Sequence, residues 1–486
     1  MRQVSGHYIN GQFVEPNSGA YFESTDPYDG DEWIEIPRGN AEDVREAVES
    51  ARYAVFEGEW SNATASQRGN YLSQIADRVE AKADELIDCE IRDTGRPKNE
   101  ISGAIRALPA WYRYYAGLAN KIQGETIPND GTAEVYTRKE PVGVVGAITP
   151  WNASTMLATW KLAPAIAAGA SVVLKPDERA SAAVLTLASA IDETGLPNGA
   201  VNVVTGFGEE IGSPLVTHDS VDKVSFTGGP KTGATIAEQA GRNLKPTVME
   251  LGGKSPNIVF GDANLNNAAE GVIDGIFNAA GQFCAAGSRV LVQDEIHDEF
   301  VDELVNKADG LVLGNPRDEV TDMGPLASQA QFTQIDQYVT KAQEAGARLE
   351  YGGGPPETTL ASDLFYEPTI LSDVDPDSTL AQEEVFGPVL AVIKFSTESE
   401  AVRIANQTDF GLVAGIWTGD AQRGPRLSTK IRAGTVWINT YRMIGPQYPW
   451  GGVKHSGWGR ENGKSAVDEF LETKTVFMEY GETGAE

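Results

Sequence analysis

The sequence predicts an α/β protein: two consecutive series of parallel strands and helices, with a small β element set between them and the N-terminal helices. Three observations lead there. From residue 142, short apolar runs bounded by glycine or proline (142–148, 172–174, 201–204, 221–226, 248–251) alternate with helical stretches such as 156–168 and 180–194. A second series begins at Ser255, with apolar runs at 258–260, 290–292, 389–395 and 435–439. Alternation of this kind marks a parallel sheet covered by helices. Residues 122–141 break the pattern, alternate at Val135, Tyr136 and Thr137, and read as a hairpin inserted between helices.

In chain order, residues 1–40 carry short apolar runs among glycine and proline and read as an irregular, β-rich lead-in. Residues 41–56 show a helical apolar period through Val44, Val48, Ala51 and Val55. Residues 67–93 repeat it through Leu72, Ile75, Val79, Leu86 and Ile87, with Cys89 as a packing residue, and Gly95 and Pro97 end the element. Residues 100–119 form a third helix rich in tyrosine (Tyr112, Tyr114, Tyr115). The glycine–proline stretch at 352–356 is too short to separate domains, and residues 473–479 alternate as an edge strand does.

A chain of 486 residues supports two or three domains. Two cysteines exclude a disulfide framework and suggest a reducing compartment. The first residues are too polar for an export signal, and no apolar run approaches the ~18 residues of a membrane span, so a cytoplasmic protein is expected. Net charge is −31, from 39 basic and 70 acidic residues spread along the chain. That balance argues against nucleic acid and anionic membranes as partners. Its self-repulsion is screened by salt, which suits a high-salt cytoplasm. The four histidines (His7, His218, His297, His455) are scattered, so no metal site is expected.

Three stretches carry candidate chemistry. Residues 278–289, NAAGQFCAAGSR, surround Cys284 with Ala279, Ala280, Gly281, Ala285, Ala286 and Gly287. Small neighbours leave room beside a sulfur, but a lone cysteine is more often a small core hydrophobe than a nucleophile. Residues 248–260, VMELGGKSPNIVF, place Glu250 at the end of an apolar run: a solvated strand end, or a partly buried general base. Residues 147–152, AITPWN, end an apolar run with Asn152. Together these would supply a nucleophile, a base and an oxyanion donor.

The segments TPWN, LKPDE, FTGG, MELGGKSPN, GQFCAAGSR, EEVFGPV and PWGGVKHSGWGRENG occur in the order and spacing of the aldehyde dehydrogenase superfamily, which the chain resembles along nearly its whole length. It is most similar to the NAD-dependent, non-phosphorylating, non-acylating group. The resemblance implies a Rossmann-type NAD-binding domain (1–121 and 142–252), an α/β catalytic domain (253–451) and a small β oligomerisation arm (122–141 and 468–486). It implies a small-molecule aldehyde as substrate and self-association into a dimer or tetramer. Cys284 would attack the aldehyde to give a thiohemiacetal and then a thioester. Asn152 and the Cys284 N–H would hold the oxyanion, Glu250 would activate water, and Lys161 and Glu461 would support proton transfer.

For the cofactor, Lys175 and Glu178 would hold the adenosine ribose. A carboxylate there repels a 2′-phosphate, so NAD is expected rather than NADP. Gly208 and Gly212 lie in GxGxxxG, one residue longer than the usual fingerprint, and Thr227, Gly228 and Gly233 follow a strand end; either stretch could meet a pyrophosphate. Gly229 stands where serine is common and removes one hydroxyl contact. Glu384 would hold the nicotinamide ribose and Phe386 the ring, with Thr149, Pro150, Trp151 and Leu251 completing the wall. The substrate pocket would be lined by Met156, Trp160, Phe283, Ala285, Trp437, Tyr441 and Trp450, an aromatic entrance suited to aliphatic or aromatic aldehydes. Arg442 would either bind a substrate carboxylate, as in a semialdehyde acid, or sit on the outer loop. A CoA-acylating relative would commonly lack the base, and a catalytically silent one would lose Cys284, Glu250 or Asn152. All three are present. For the acidic surface, unfolding midpoints measured at low and molar KCl are expected to rise with salt; equal midpoints would remove the high-salt reading.

Overall fold

Local signals start and stop the N-terminal helices. Asn40 caps Ala41–Phe56 in a reciprocal box with Asp43, and Thr64 caps Ala65–Ala81 with Gln67. Gly95, in the left-handed conformation, ends Ala83–Thr94. The computed structural model describes residues 2–3, 6–358 and 360–479.

The first strand series forms a parallel sheet. Thr247–Glu250, Lys223–Thr227, Val144–Thr149, Ser171–Pro176 and Val201–Val203 lie side by side in that order. Winding therefore reverses between Val144–Thr149 and Lys223–Thr227, the point where an open α/β sheet leaves a crevice for a ligand. Antiparallel strands extend both edges: Gly457–Trp458 on one, His7–Ile9 and Gln12–Val14 on the other. Val144–Thr149, Ser171–Pro176 and Lys223–Thr227 are buried along their whole length, as a sheet covered on both faces requires. The helix Ser154–Ala168 is buried on almost every side and carries both Trp160 and Lys161.

The second series builds a seven-stranded sheet in the order Arg348–Tyr351, Thr369–Ser372, Val389–Phe395, Arg289–Gln293, Pro256–Val259, Val413–Trp417 and Thr435–Ile438. All its pairings are parallel except the first. Each sheet has its own hydrophobic core. Phe283 and Ala285 pack into the first core, Ala280 and Ala286 into the second. The stretch around Cys284 thus runs along the seam between them.

The expected fold class is observed, with differences in detail. The single helix expected over 67–93 is two, Ala65–Ala81 and Ala83–Thr94, meeting at Lys82. Lys82 Nζ reaches Ser189 Oγ at 3.0 Å, tying the bend to the helix Ser181–Asp192; periodicity does not register a one-residue interruption. Cys89 is buried beside Thr186, and burial pushes its thiol up to about 12. The strands Thr369–Ser372 and Val413–Trp417 are absent from the sequence reading, because short apolar runs carry no periodicity of their own. The hairpin 122–141 contributes Thr126–Ile127 and Ala133–Pro141 to a three-stranded antiparallel sheet whose outer strand is Leu471–Glu479. Residues 480–486 of the expected arm lie outside the described residues. Among the described residues no helix is long and apolar enough to cross a membrane.

Arg289 shows how the second sheet is fastened. It is fully buried and donates to three carbonyls: Lys254 at 3.0 Å, Ile404 at 3.0 Å and Ala405 at 3.1 Å. R289M is expected to withdraw the guanidinium from these carbonyls, of which Ile404 keeps the Gln407 N–H, and to cost on the order of 3–5 kcal/mol in chemical denaturation; a loss below about 1 kcal/mol would mean that other donors replace the guanidinium.

Candidate active site

Glu250 ends the strand Thr247–Glu250, opposite Thr227 on one side and Gly457 on the other. Both carboxylate oxygens are buried and without a partner in the chain. Burial first, and then the nearby Glu461, raise its pKa well above the ordinary carboxylate range against the pull of Lys161 and Arg460. The backbone passes so close that a Cβ on Gly451 would lie 2.6 Å from Glu250 Oε1. Glycine is required there by proximity.

Cys284 follows a strained turn. Ala279, Ala280 and Gly281 take positive φ in succession (54°, 50° and 69°) after the helix Leu265–Phe277. An extra carbon on Gly281 would collide with the Gly387 carbonyl, so the turn is wedged between neighbours. The Asn152 Nδ2 donates to the Gln282 carbonyl at 2.9 Å, which fastens the amide beside the turn. Cys284 is half-buried, and burial together with Glu384, Glu250 and Glu461 pushes its thiol far above its usual range.

Lys161 and Glu461 form a buried ion pair, and Lys161 also donates to Thr227 Oγ1 at 2.8 Å and Ser225 Oγ at 3.1 Å. Glu461 exchanges two backbone hydrogen bonds with Trp450, at 2.6 and 2.7 Å. The carboxylate near Glu250 is thus fixed to the same backbone bridge that holds one of the aromatic side chains.

Two adjoining cavities of about 580 and 920 Å³ share the wall of Pro150, Trp151, Thr227 and Gly228. The first holds Asn152, Glu250, Leu251, Cys284, Glu384 and Phe386; the second holds Thr149, Lys175, Glu178, Gly208 and Gly212. Together they run along the crevice at the winding reversal. A dinucleotide fits these residues. Gly208, Gly212 and Gly229 have open space where a Cβ would stand, and the buried Thr149 Oγ1 is unpartnered. Lys175 Nζ lies 3.6 Å from Glu178, and Gly229 caps the helix Pro230–Arg242, whose first N–H groups are available to an anion. Glu384 accepts from the Gly253 N–H at 2.9 Å, and burial lifts its pKa to about 7. Gly233 is not among the cleft residues: it packs on Leu251, which a Cβ would meet at 2.5 Å.

An aromatic cluster adjoins the Cys284 stretch through Tyr441. Trp160 packs edge-on to Trp450 at 5.7 Å, Trp450 lies 6.3 Å from Trp437, and Trp437 lies 4.7 Å from Tyr441. Trp111, which the sequence reading does not single out, stacks on Trp160 at 6.2 Å and donates to Asn462 at 2.8 Å. Tyr441 donates to the Ala285 carbonyl at 3.1 Å, next to the thiol; Met156 and Phe283 pack against or within the first core. Arg442 faces inward, with its guanidinium 4.9 Å over the Phe283 ring and bonded to Glu100 at 3.1 Å and to the Asp274 carbonyl at 3.1 Å. Glu100 and Arg96 also escape a reading from motifs, because they lie on or beside an ordinary amphipathic helix. Gln331 is a third: it donates to the carbonyls of Val385 and Phe386 and holds Phe386 at φ 57°.

A parallel sheet with reversed winding, a long cleft along its strand ends and a thiol beside a buried carboxylate define a dinucleotide-binding α/β oxidoreductase. The match to known proteins is equally specific. Residues 13–476 match the model of the aldehyde dehydrogenase family, and the chain belongs to that family. It is 44% identical over 474 residues to a (Z)-2-((N-methylformamido)methylene)-5-hydroxybutyrolactone dehydrogenase of Acinetobacter baylyi, covering 97% of this chain and 96% of that one. It is 40% identical to a betaine aldehyde dehydrogenase of Bacillus subtilis, with the same coverage. An aldehyde dehydrogenase of Bacillus cereus solved as its NAD+ complex superposes with a TM-score of 0.96 at 40% identity, covering 98% of this chain and 96% of that one. G451A is expected to displace Glu250 and lower turnover roughly tenfold or more, at about 1–3 kcal/mol of stability. Unchanged turnover in the purified variant would show that Glu250 has room to move without loss.

Proposed function

We propose that this NAD-dependent aldehyde dehydrogenase converts an aldehyde without a carboxylate of its own into the corresponding acid, with Cys284 as nucleophile and Glu250 as base. The carrying observation is that Cys284, Asn152 and Glu250 line one cavity at the strand ends, continuous with the cleft that suits a dinucleotide. Lys175 and Glu178 would hold the adenosine ribose, Glu384 the second ribose, and Phe386 and Trp151 the nicotinamide end. Glu178 disfavours a 2′-phosphate, so NAD is preferred over NADP.

The Cys284 thiol gives its proton to water, and its sulfur attacks the carbonyl carbon. The resulting oxyanion is held by the Asn152 amide and the Cys284 N–H. Collapse of this adduct expels hydride, which NAD accepts when bound, and leaves a thioester on Cys284. Glu250 takes a proton from water, the hydroxide attacks the thioester, and the acid departs as the thiolate reforms. The Lys161–Glu461 pair lies along the route by which Glu250 can pass its proton on.

The aromatic cluster supports an apolar or aromatic aldehyde. Arg442 supports the same reading, since its charge is already met by Glu100. The exposed edge strand Leu471–Glu479, with Phe477 70% exposed, supports self-association through the small sheet. Residues 1–121 and 142–252 would serve the cofactor, 253–451 the substrate, and 122–141 with 468–486 the association. The acidic surface and paucity of cysteine support a cytoplasmic, high-salt setting.

C284A is expected to abolish turnover while NAD still binds. E250Q is expected to keep a first burst of NADH and lose steady-state turnover on the order of 100-fold; loss of the burst itself would overturn the deacylation role. Glu250 works only as the carboxylate, so wild-type kcat should rise with pH through its raised pKa, above the usual carboxylate range of about 4.5.

A further inference from the structure

The turn that presents Cys284 cannot hold itself. Two consecutive alanines in the left-handed region are unfavourable for side-chain-bearing residues, and their neighbours must over-determine them. The Ala279 N–H donates to Glu100 Oε2 at 2.9 Å, from a helix far away in sequence, Lys98–Ala119. The other oxygen of Glu100 accepts from Arg96 at 2.8 Å and Arg442 at 3.1 Å. Arg96 reaches onward to the Asn152 carbonyl at 3.0 Å, while the Asn152 amide donates to the Gln282 carbonyl. Arg442 lies over the ring of Phe283, the residue before the thiol. One carboxylate therefore joins the turn, the residue proposed as the oxyanion donor and the loop around Arg442. Burial pushes its acid up, but Arg96 and Arg442 outweigh burial and hold it at about 2, so the clamp is charged at any working pH.

We infer that Glu100 is a positioning residue for the dehydrogenase reaction, holding the 279–281 turn so that Cys284 and Asn152 keep their mutual placement. The inference rests on Cys284 as nucleophile. Glu100 does not touch the reacting atoms; it acts through the Ala279 N–H and through Arg96. Because a misplacement of about 1 Å can cost two orders of magnitude in rate, a clamp of this kind shows in kcat before it shows in binding.

The test uses the full-length enzyme and three readouts: kcat and KM for an accepted aldehyde, NAD affinity, and the rate at which iodoacetamide labels Cys284. E100Q removes the charge. E100D keeps the charge for the two arginines but withdraws the oxygen from Ala279, and serves alone if E100Q does not fold. Either variant should lose roughly tenfold or more in kcat, with NAD affinity kept within about twofold and Cys284 labelling altered in parallel. A279G in the E100D background should recover several-fold in kcat, because glycine takes positive φ without the clamp. Wild-type kcat and labelling in folded E100D, or a loss that A279G does not relieve, would overturn the inference. Retained turnover in C284A would instead overturn the nucleophile assignment on which it stands.

Discussion

The parallel register that sets Thr227 opposite Glu250 and Phe226 opposite Ile148 is the constraint on which the site depends. It brings three strand ends to one level, so that Thr149–Asn152, Thr227–Gly229 and Glu250–Gly253 leave the sheet together. Side chains alternate along a strand, and a slip of one residue would turn Glu250 away from the cleft. The fully buried strands leave little freedom for such a slip, because their apolar side chains are committed on both faces.

Charge is handled differently inside and outside. The surface carries the excess of acid, and the ion pairs exposed there are of small energetic value. Inside, each charge has a specific setting. Lys161 meets Glu461, Glu100 meets Arg96 and Arg442, and Arg289 spends its donors on backbone carbonyls. Glu250 and Lys254 are the exceptions, both buried with no hydrogen-bond partner among the described residues. Desolvation raises the Glu250 pKa above that of an exposed carboxylate, which makes the carboxylate a stronger base and the acid easier to keep once formed.

The thiol depends on the opposite sheet. Cys284 leaves a helix packed on the second core, passes through a left-handed turn, and places Phe283 and Ala285 in the first core. Its position is therefore an agreement between two cores, wedged by Gly281 against Gly387 and tied by Glu100. The aromatic cluster is built across the same seam. Trp111 and Trp160 come from N-terminal helices, whereas Trp437, Tyr441 and Trp450 come from the last strand of the second sheet and the chain that follows it.

By itself the sequence determined the alternation of strands and helices, the hairpin that leaves it, and the motifs that identify Cys284, Glu250 and Asn152. These are local: periodicity, glycine and proline at element ends, and short segments of fixed order. The missed strands Thr369–Ser372 and Val413–Trp417 are the limit of that reading, since a fully buried strand of four or five residues has no polar face to alternate with. Only the tertiary structure decided that Arg442 is neutralised by Glu100, that Gly233 packs on Leu251, and that Gly451 must clear the Glu250 carboxylate. Each is a contact that the fold makes between separate segments, and no local pattern of residues encodes that geometry.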